Sequence, residues 1–308
     1  MIKAHIALFL VSLIYASNYT IAKEVMPNYL NPEAIVFARI LTGFIVFGLL
    51  TIPKPERIEK SDYKRLILCG ITGAGINMLT FFKGLNLTTP INASLIMLLV
   101  PIIVLIASAI YLKETITNIK IIGIFMGIIG AGFLVTYGRS FSLNSQGLLG
   151  DLFIVINATS YSIYLVLIKN LMRKYNTMTV LKWVFTFGLI FIFPFTITDF
   201  VNAEWTEIPA NIWFAIAFIL IGVTILTYFF NAYALQFVNA SVVSIYIYLQ
   251  PLLASIIALS FGKDHLDFTK IVAIYFDIFG RVNGESIKRM VVIEIKLLRF
   301  LFPTSLKS

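Results

Sequence analysis

Nine apolar runs of membrane length succeed one another along this chain, at about 6–22, 34–52, 66–82, 91–112, 121–137, 152–168, 183–198, 212–230 and 241–262. A tenth begins near Ile271. A helix rises 1.5 Å per residue, so crossing a bilayer core takes about 20 residues, with about 17 as the lower bound. Most of the runs meet that length. Spanning strands would show about ten residues of alternation, and these runs are continuous. In lipid only a helix satisfies its own backbone, so the fold class is all-α and polytopic. Composition agrees: 59% of the 308 residues are hydrophobic and 13% are charged, where soluble domains hold about a quarter charged. The first run follows Lys3 as a signal peptide would, but its length and the spans behind it predict a retained helix.

The net charge of +9 invites a nucleic-acid reading until the charges are placed. The loop KPERIEKSDYKR (54–65) holds five basic residues and KNLMRKYN (169–176) holds three. The loop DFVNAEWTEIPAN (199–211) holds none and carries three carboxylates, and GRSFSLNSQG (138–147) holds one basic residue. Lys and Arg concentrate on cytoplasmic loops. A cytoplasmic N-terminus puts both basic loops inside and both basic-poor loops outside. The charge is therefore topological, with anionic lipid as its neighbour and no nucleic acid required.

The chain also repeats itself. PIIVLIASAIYLKE at 101–114 returns as PLLASIIALSFGKD at 251–264. An offset of 150 pairs Leu85 with Leu235, Ser94 with Ser244, Pro101 with Pro251, Lys113 with Lys263 and Glu114 with Asp264. Upstream, an offset of 146 pairs Tyr15 with Tyr161 and Lys23 with Lys169. Such self-similarity decides the architecture. Each half holds five spans, and five is odd, so the second half enters from the opposite face. Two inverted five-helix repeats form a ten-helix bundle, with a substrate site expected near the midplane between them.

The entry helix SLIYASNYTIAK (12–23), ARILTG (38–43), and the long stretches at 84–117 and 233–264 together resemble the EamA family of the drug/metabolite transporter superfamily. The resemblance divides the chain into a first repeat at 5–138, a second at 148–280 and a divergent basic tail at 281–308. It implies a secondary transporter in the inner membrane of a bacterial or archaeal cell, moving a small metabolite, an amino acid or similar, by alternating access. The implied partners are that small-molecule substrate and membrane lipid; no cofactor is implied, and monomer and homodimer stay open. Substrate identity, direction and coupling are not fixed by it. The end of the chain departs from the pattern. Gly130 leads into AGFLVTY, whereas the matching Gly280 leads into RVNGESIKRMVVIEIK. Arg281, Glu285, Lys288 and Arg289 cannot sit cheaply in lipid, so the tenth helix is expected to be short or atypical.

Candidate site residues are polar groups well inside spans, since an amide in hydrocarbon must face partners or a wet cavity. They are Tyr15 and Asn18 in the first span, Asn77 in the third, Tyr161 and Tyr164 in the sixth, Asn231 in the eighth, and Tyr246 and Gln250 in the ninth. For any one of them, interhelical bonding without a ligand is the commoner role; as a group, clusters on paired helices favour a cavity. Arg39, about six residues into the second span, is the sharpest candidate because lipid penalises its charge. Lys23, Lys83 and Lys182 lie near span ends, where snorkelling suffices. Pro101 and Pro251, each at the centre of a 22-residue run, are expected to bend their helices as paired hinges or as static kinks. GITGAG (70–75) and Gly123-x3-Gly127 read as packing seams.

Other classes lack their signatures. There are two histidines, His5 and His265, with no His-Glu-x-x-His, no clustered carboxylates for a metal, no nucleophile elbow and no Gly-rich phosphate loop. The single cysteine, Cys69, rules out a disulfide framework and a cysteine metal cluster. An enzyme is not expected, and no metal or catalytic residues are assigned. A channel would need a filter or a ring of charge. A membrane-embedded sensor remains the rival reading.

Overall fold

A computed structural model of the chain describes residues 2–118, 121–122, 124–125, 145–251 and 253. Most of the fifth expected span, the tenth, most of the far half of the ninth, the seam at Gly123 and Gly127 and the tail at 281–308 lie outside the described residues. The described residues are helical, with no strand among them. Seven of their helical stretches are long and apolar enough to cross a membrane, with Asn92–Tyr111 counted as one across its central turn. In chain order the helices are α1 (Ile2–Val25), α2 (Pro32–Leu50), α3 (Lys60–Leu87), α4 (Pro90–Met97), α5 (Val100–Tyr111), α6 (Ser145–Lys174), α7 (Thr177–Val201), α8 (Ala210–Phe237) and α9 (Ala240–Ile245). Large side chains such as Phe214, 80% exposed, and Ile110, 77% exposed, face outward. In water that surface would drive aggregation; against acyl chains it costs nothing.

The inward faces pack closely. In α3 and α7 a Cβ on Gly70 would stand 2.6 Å from Cβ of Phe187 and 2.9 Å from the backbone nitrogen of Gly188. Only hydrogen fits there, so part of the expected GITGAG seam is a helix crossing. On α2, Phe47 meets Phe185 of α7 with ring centroids 5.3 Å apart.

Two helices are wound wide in their middles. Gly70–Ile76 of α3 and Phe218–Leu226 of α8 are π-helical, and the 150-residue offset carries 70–76 onto 220–226. Wide turns leave carbonyls that neighbouring side chains must serve, and they occur often at functional sites. On α3, the carbonyl of Thr72 accepts from Ser160 at 2.7 Å and that of Gly73 from Tyr228 at 2.5 Å.

The expected proline bends are breaks. The helix stops at Met97, Leu98 and Leu99 turn, and α5 starts at Val100. Pro101 therefore sits in the first turn of a new helix, where its missing N–H leaves no bond unmade. At the corresponding place α9 gives way to a tighter 3₁₀ turn, Tyr246–Tyr248, ahead of Pro251. The Lys-Glu pair after α5 also has a local reason. Lys113 takes φ 54°, the left-handed conformation that terminates a helix. The amide of Glu114 then folds back to the Ser108 carbonyl at 3.2 Å. Its Oε2 accepts from Ser241 of α9 at 2.7 Å, joining the two halves.

The two basic loops meet at one end of the bundle. Lys174 donates to Asp62 at 2.7 Å and pairs with Glu59, and Tyr175 donates to Asp62 at 2.8 Å. Other contacts gather at the opposite helix ends: Lys83 with Glu33 at 2.8 Å, and Asn31 with Asp199 at 3.3 Å. Two lysines cap helix C-termini. Lys169, 3% exposed, donates to the carbonyls of Leu235 at 2.5 Å and Val238 at 2.7 Å at the end of α8. Lys23 donates to the Asn86 carbonyl at the end of α3 at 3.1 Å. These are the lysines that the 146-residue offset pairs, and each cancels partial negative charge on unsatisfied carbonyls.

Candidate functional site

A cavity, about 500 Å³ with the open space at its mouth included, lies where the wide turns and the helix breaks converge. Tyr15, Asn18 and Tyr19 line it from α1, Arg39 from α2, and Asn77, Met78 and Phe81 from α3. Met97 comes from the end of α4, Asn157 and Tyr161 from α6, and Val223 and Tyr228 from α8. Ile247 and Gln250 complete it beside the second break. Both halves of the chain therefore contribute walls.

Among the described residues, Arg39 is the one charged side chain in that lining. Nε donates to Thr224 Oγ1 at 2.8 Å and Nη2 to the Val223 carbonyl at 3.0 Å. Both acceptors belong to the wide segment of α8. The guanidinium carbon lies 4.8 Å from the Phe82 ring centroid, a cation–π contact. Three contacts thus fix the fork in orientation. Tyr15 stands beside Arg39, Thr227 and Tyr161. The Tyr228 hydroxyl, besides serving Gly73, lies 3.3 Å from Asn77 Oδ1. Asn157 donates from Nδ2 to the Asn77 carbonyl at 2.7 Å. Its Oδ1, and that of Asn18, are buried without a hydrogen-bond donor.

Of the residues singled out from sequence, Tyr15, Asn18, Arg39, Asn77, Tyr161 and Gln250 come together in this lining. Tyr164, Asn231 and Tyr246 stand outside it. Tyr164 packs against Tyr161 with centroids 6.2 Å apart and fills the space over Gly73. Asn231 donates to the Tyr161 hydroxyl at 3.2 Å, from behind the wall. The Tyr246 hydroxyl lies 2.8 Å from His5 Nδ1, and its carbonyl accepts from Ser12 at 2.8 Å. It ties the second break to α1, while its neighbour Ile247 faces the cavity. Pro101 and Pro251 do not line it; they follow the breaks that do. Sequence reading missed Tyr19, Asn157 and Tyr228. A usable signal was present: Tyr19 is four residues past Tyr15, and Asn157 four before Tyr161, which is one helix face.

Comparisons with known proteins agree with this architecture. The model of the EamA-like transporter family matches residues 2–136 and again 148–282. The uncharacterized transporter YyaM of Bacillus subtilis is 26% identical over 295 residues, covering 94% of this chain and 95% of its own. An uncharacterized transporter of Archaeoglobus fulgidus is 25% identical, covering 86% and 91%. A solved crystal structure superposes with a TM-score of 0.72 over 97% of this chain and 98% of that one, at 17% identity, which shows the fold. An integral membrane protein built of apolar helices, with two matches to one family model, this chain belongs to the EamA-like transporter family.

Proposed function

We propose that the chain is a secondary transporter that carries a small metabolite across the cell membrane by alternating access, with the cavity around Arg39 as its binding site. The observation that carries the reading is the joint lining: one cavity with polar side chains in its walls, formed by helices of both halves, beside a helix break and a 3₁₀ turn at repeat-related positions. In an inverted repeat such a site is reached from one face or the other as the halves rock. The two basic loops share one end of the bundle, and the positive-inside bias supports a cytoplasmic placement of that end. Substrate would then enter between helices whose broken segments move without unwinding a full span.

The test is solute counterflow in proteoliposomes holding the purified full-length chain. Saturable exchange supports a carrier; flux linear in concentration would mean a channel; no flux of any solute would leave a sensor. Arg39→Ala should abolish most exchange while the protein still inserts. Unchanged exchange in that variant would place the site elsewhere.

A further inference from the structure

Arg39 is a cation at depth whose counter-charge is missing from the described residues. Carboxylates near the described spans sit at helix ends: Glu33 with Lys83, Asp62 with Lys174, Asp151 with Thr88, Glu114 with Ser241, and Glu24 exposed at the end of α1. None lines the cavity. A guanidinium buried to 3% exposure with only neutral partners is costly in a membrane, and such residues mark substrate and ion pathways. Its fork is also incompletely used. Nε and Nη2 are held by Thr224 and Val223, and Nη1 has no hydrogen-bond acceptor among the described residues. A planar fork with one edge held and the other offered matches a carboxylate.

The surroundings extend the match. Tyr15 lines the cavity with Arg39, and a phenol can donate to an anion; the Tyr228 proton is already given to the Gly73 carbonyl. Met78, Phe81 and Met97 supply apolar wall. Resting on the reading of this cavity as the transport site, we propose that it takes a small organic monoanion: a carboxylate on the free edge of Arg39, and an apolar body along Met78, Phe81 and Met97. Cations of the same shape are disfavoured beside Arg39, since no carboxylate among the described residues lines the cavity to receive them.

The probes are three solutes with one skeleton and different heads: 4-methylpentanoate, 4-methylpentanamide and 4-methylpentylamine. In detergent, the carboxylate should raise the unfolding midpoint of the full-length protein in a saturable way, with an apparent affinity at least tenfold above the amide and the amine. Arg39→Gln should erase that preference and Arg39→Lys retain part of it. If Arg39→Gln does not fold, the wild-type series decides alone. Equal or better stabilisation by amide or amine, or a carboxylate preference that survives in Arg39→Gln, overturns the proposal. Counterflow separates the two layers. Saturable exchange of neutral or cationic solutes without competition by the carboxylate leaves a transporter and removes the anion site. No saturable exchange of anionic, neutral or cationic solutes removes both.

Discussion

The Tyr248 hydroxyl lies 3.5 Å from the carbonyl oxygen of Leu98, and under the 150-residue offset these two residues are one position. Each stands in the break of its own half, just ahead of the repeated proline. The two breaks thus touch one another.

Replacing the prolines tests whether those breaks move. Pro101 begins a helix, so Pro101→Ala should change stability by no more than about 1 kcal/mol. If the breaks are hinges, Pro101→Ala and Pro251→Ala should each bias cysteine accessibility toward one membrane face and lower exchange. Wild-type rates and accessibility in both variants would make them fixed packing features.

The lysine caps should differ in weight. Lys169→Met leaves the carbonyls of Leu235 and Val238 buried without their donor, which should cost about 1–3 kcal/mol. Lys23→Met removes one longer bond at a more exposed site and should cost less. Unfolding midpoints in detergent give the order; a larger loss for Lys23→Met would contradict it.

Orientation is checked with an impermeant thiol reagent. Cys69 is fully buried and should stay silent. A cysteine at Ser61 should be protected in intact cells and one at Asn202 should react. The reverse pattern would turn the bundle over.

Packing beside the cavity is checked by Gly73→Ala. The new methyl would collide with the Tyr164 ring, which must shift toward Tyr161 and the wall. A stability loss of about 1–3 kcal/mol and reduced exchange are expected. Gly48→Ala is the control, since nothing lies within 4 Å of its would-be Cβ. There a helical Ala should be neutral or stabilise by up to about 1 kcal/mol.

How much of this was legible in the sequence varies with the physical signal. Spans were legible because lipid forces continuous apolar runs, and Arg39 because lipid penalises charge wherever it packs. Tyr246 was misplaced relative to the cavity for a local reason: the 3₁₀ turn at Tyr246–Tyr248 rotates successive side chains by more than an α-helix does. The breaks before Pro101 and Pro251 were read as bends because proline marks only where a helix can restart; the two leucines at 98 and 99 carry no turn signal. Tyr228 and Asn157 were passed over although their helix-face partners Asn231 and Tyr161 were not. What recruits them is the unserved carbonyls of α3, which exist only once the wide turn forms.

That wide turn has a consequence for how this sequence can vary in length. A π turn amounts to one residue inserted into an α-helix, and one residue is worth about 100° of rotation. Everything after Ile76 in α3, and after Leu226 in α8, is therefore turned relative to an uninterrupted helix. Asn77 and Tyr228, which meet across the two halves at 3.3 Å, each stand just past such a segment. Losing one residue from either segment would restore regular winding and swing one partner away from the other. Deletions should be tolerated in pairs, one in each half, before they are tolerated singly.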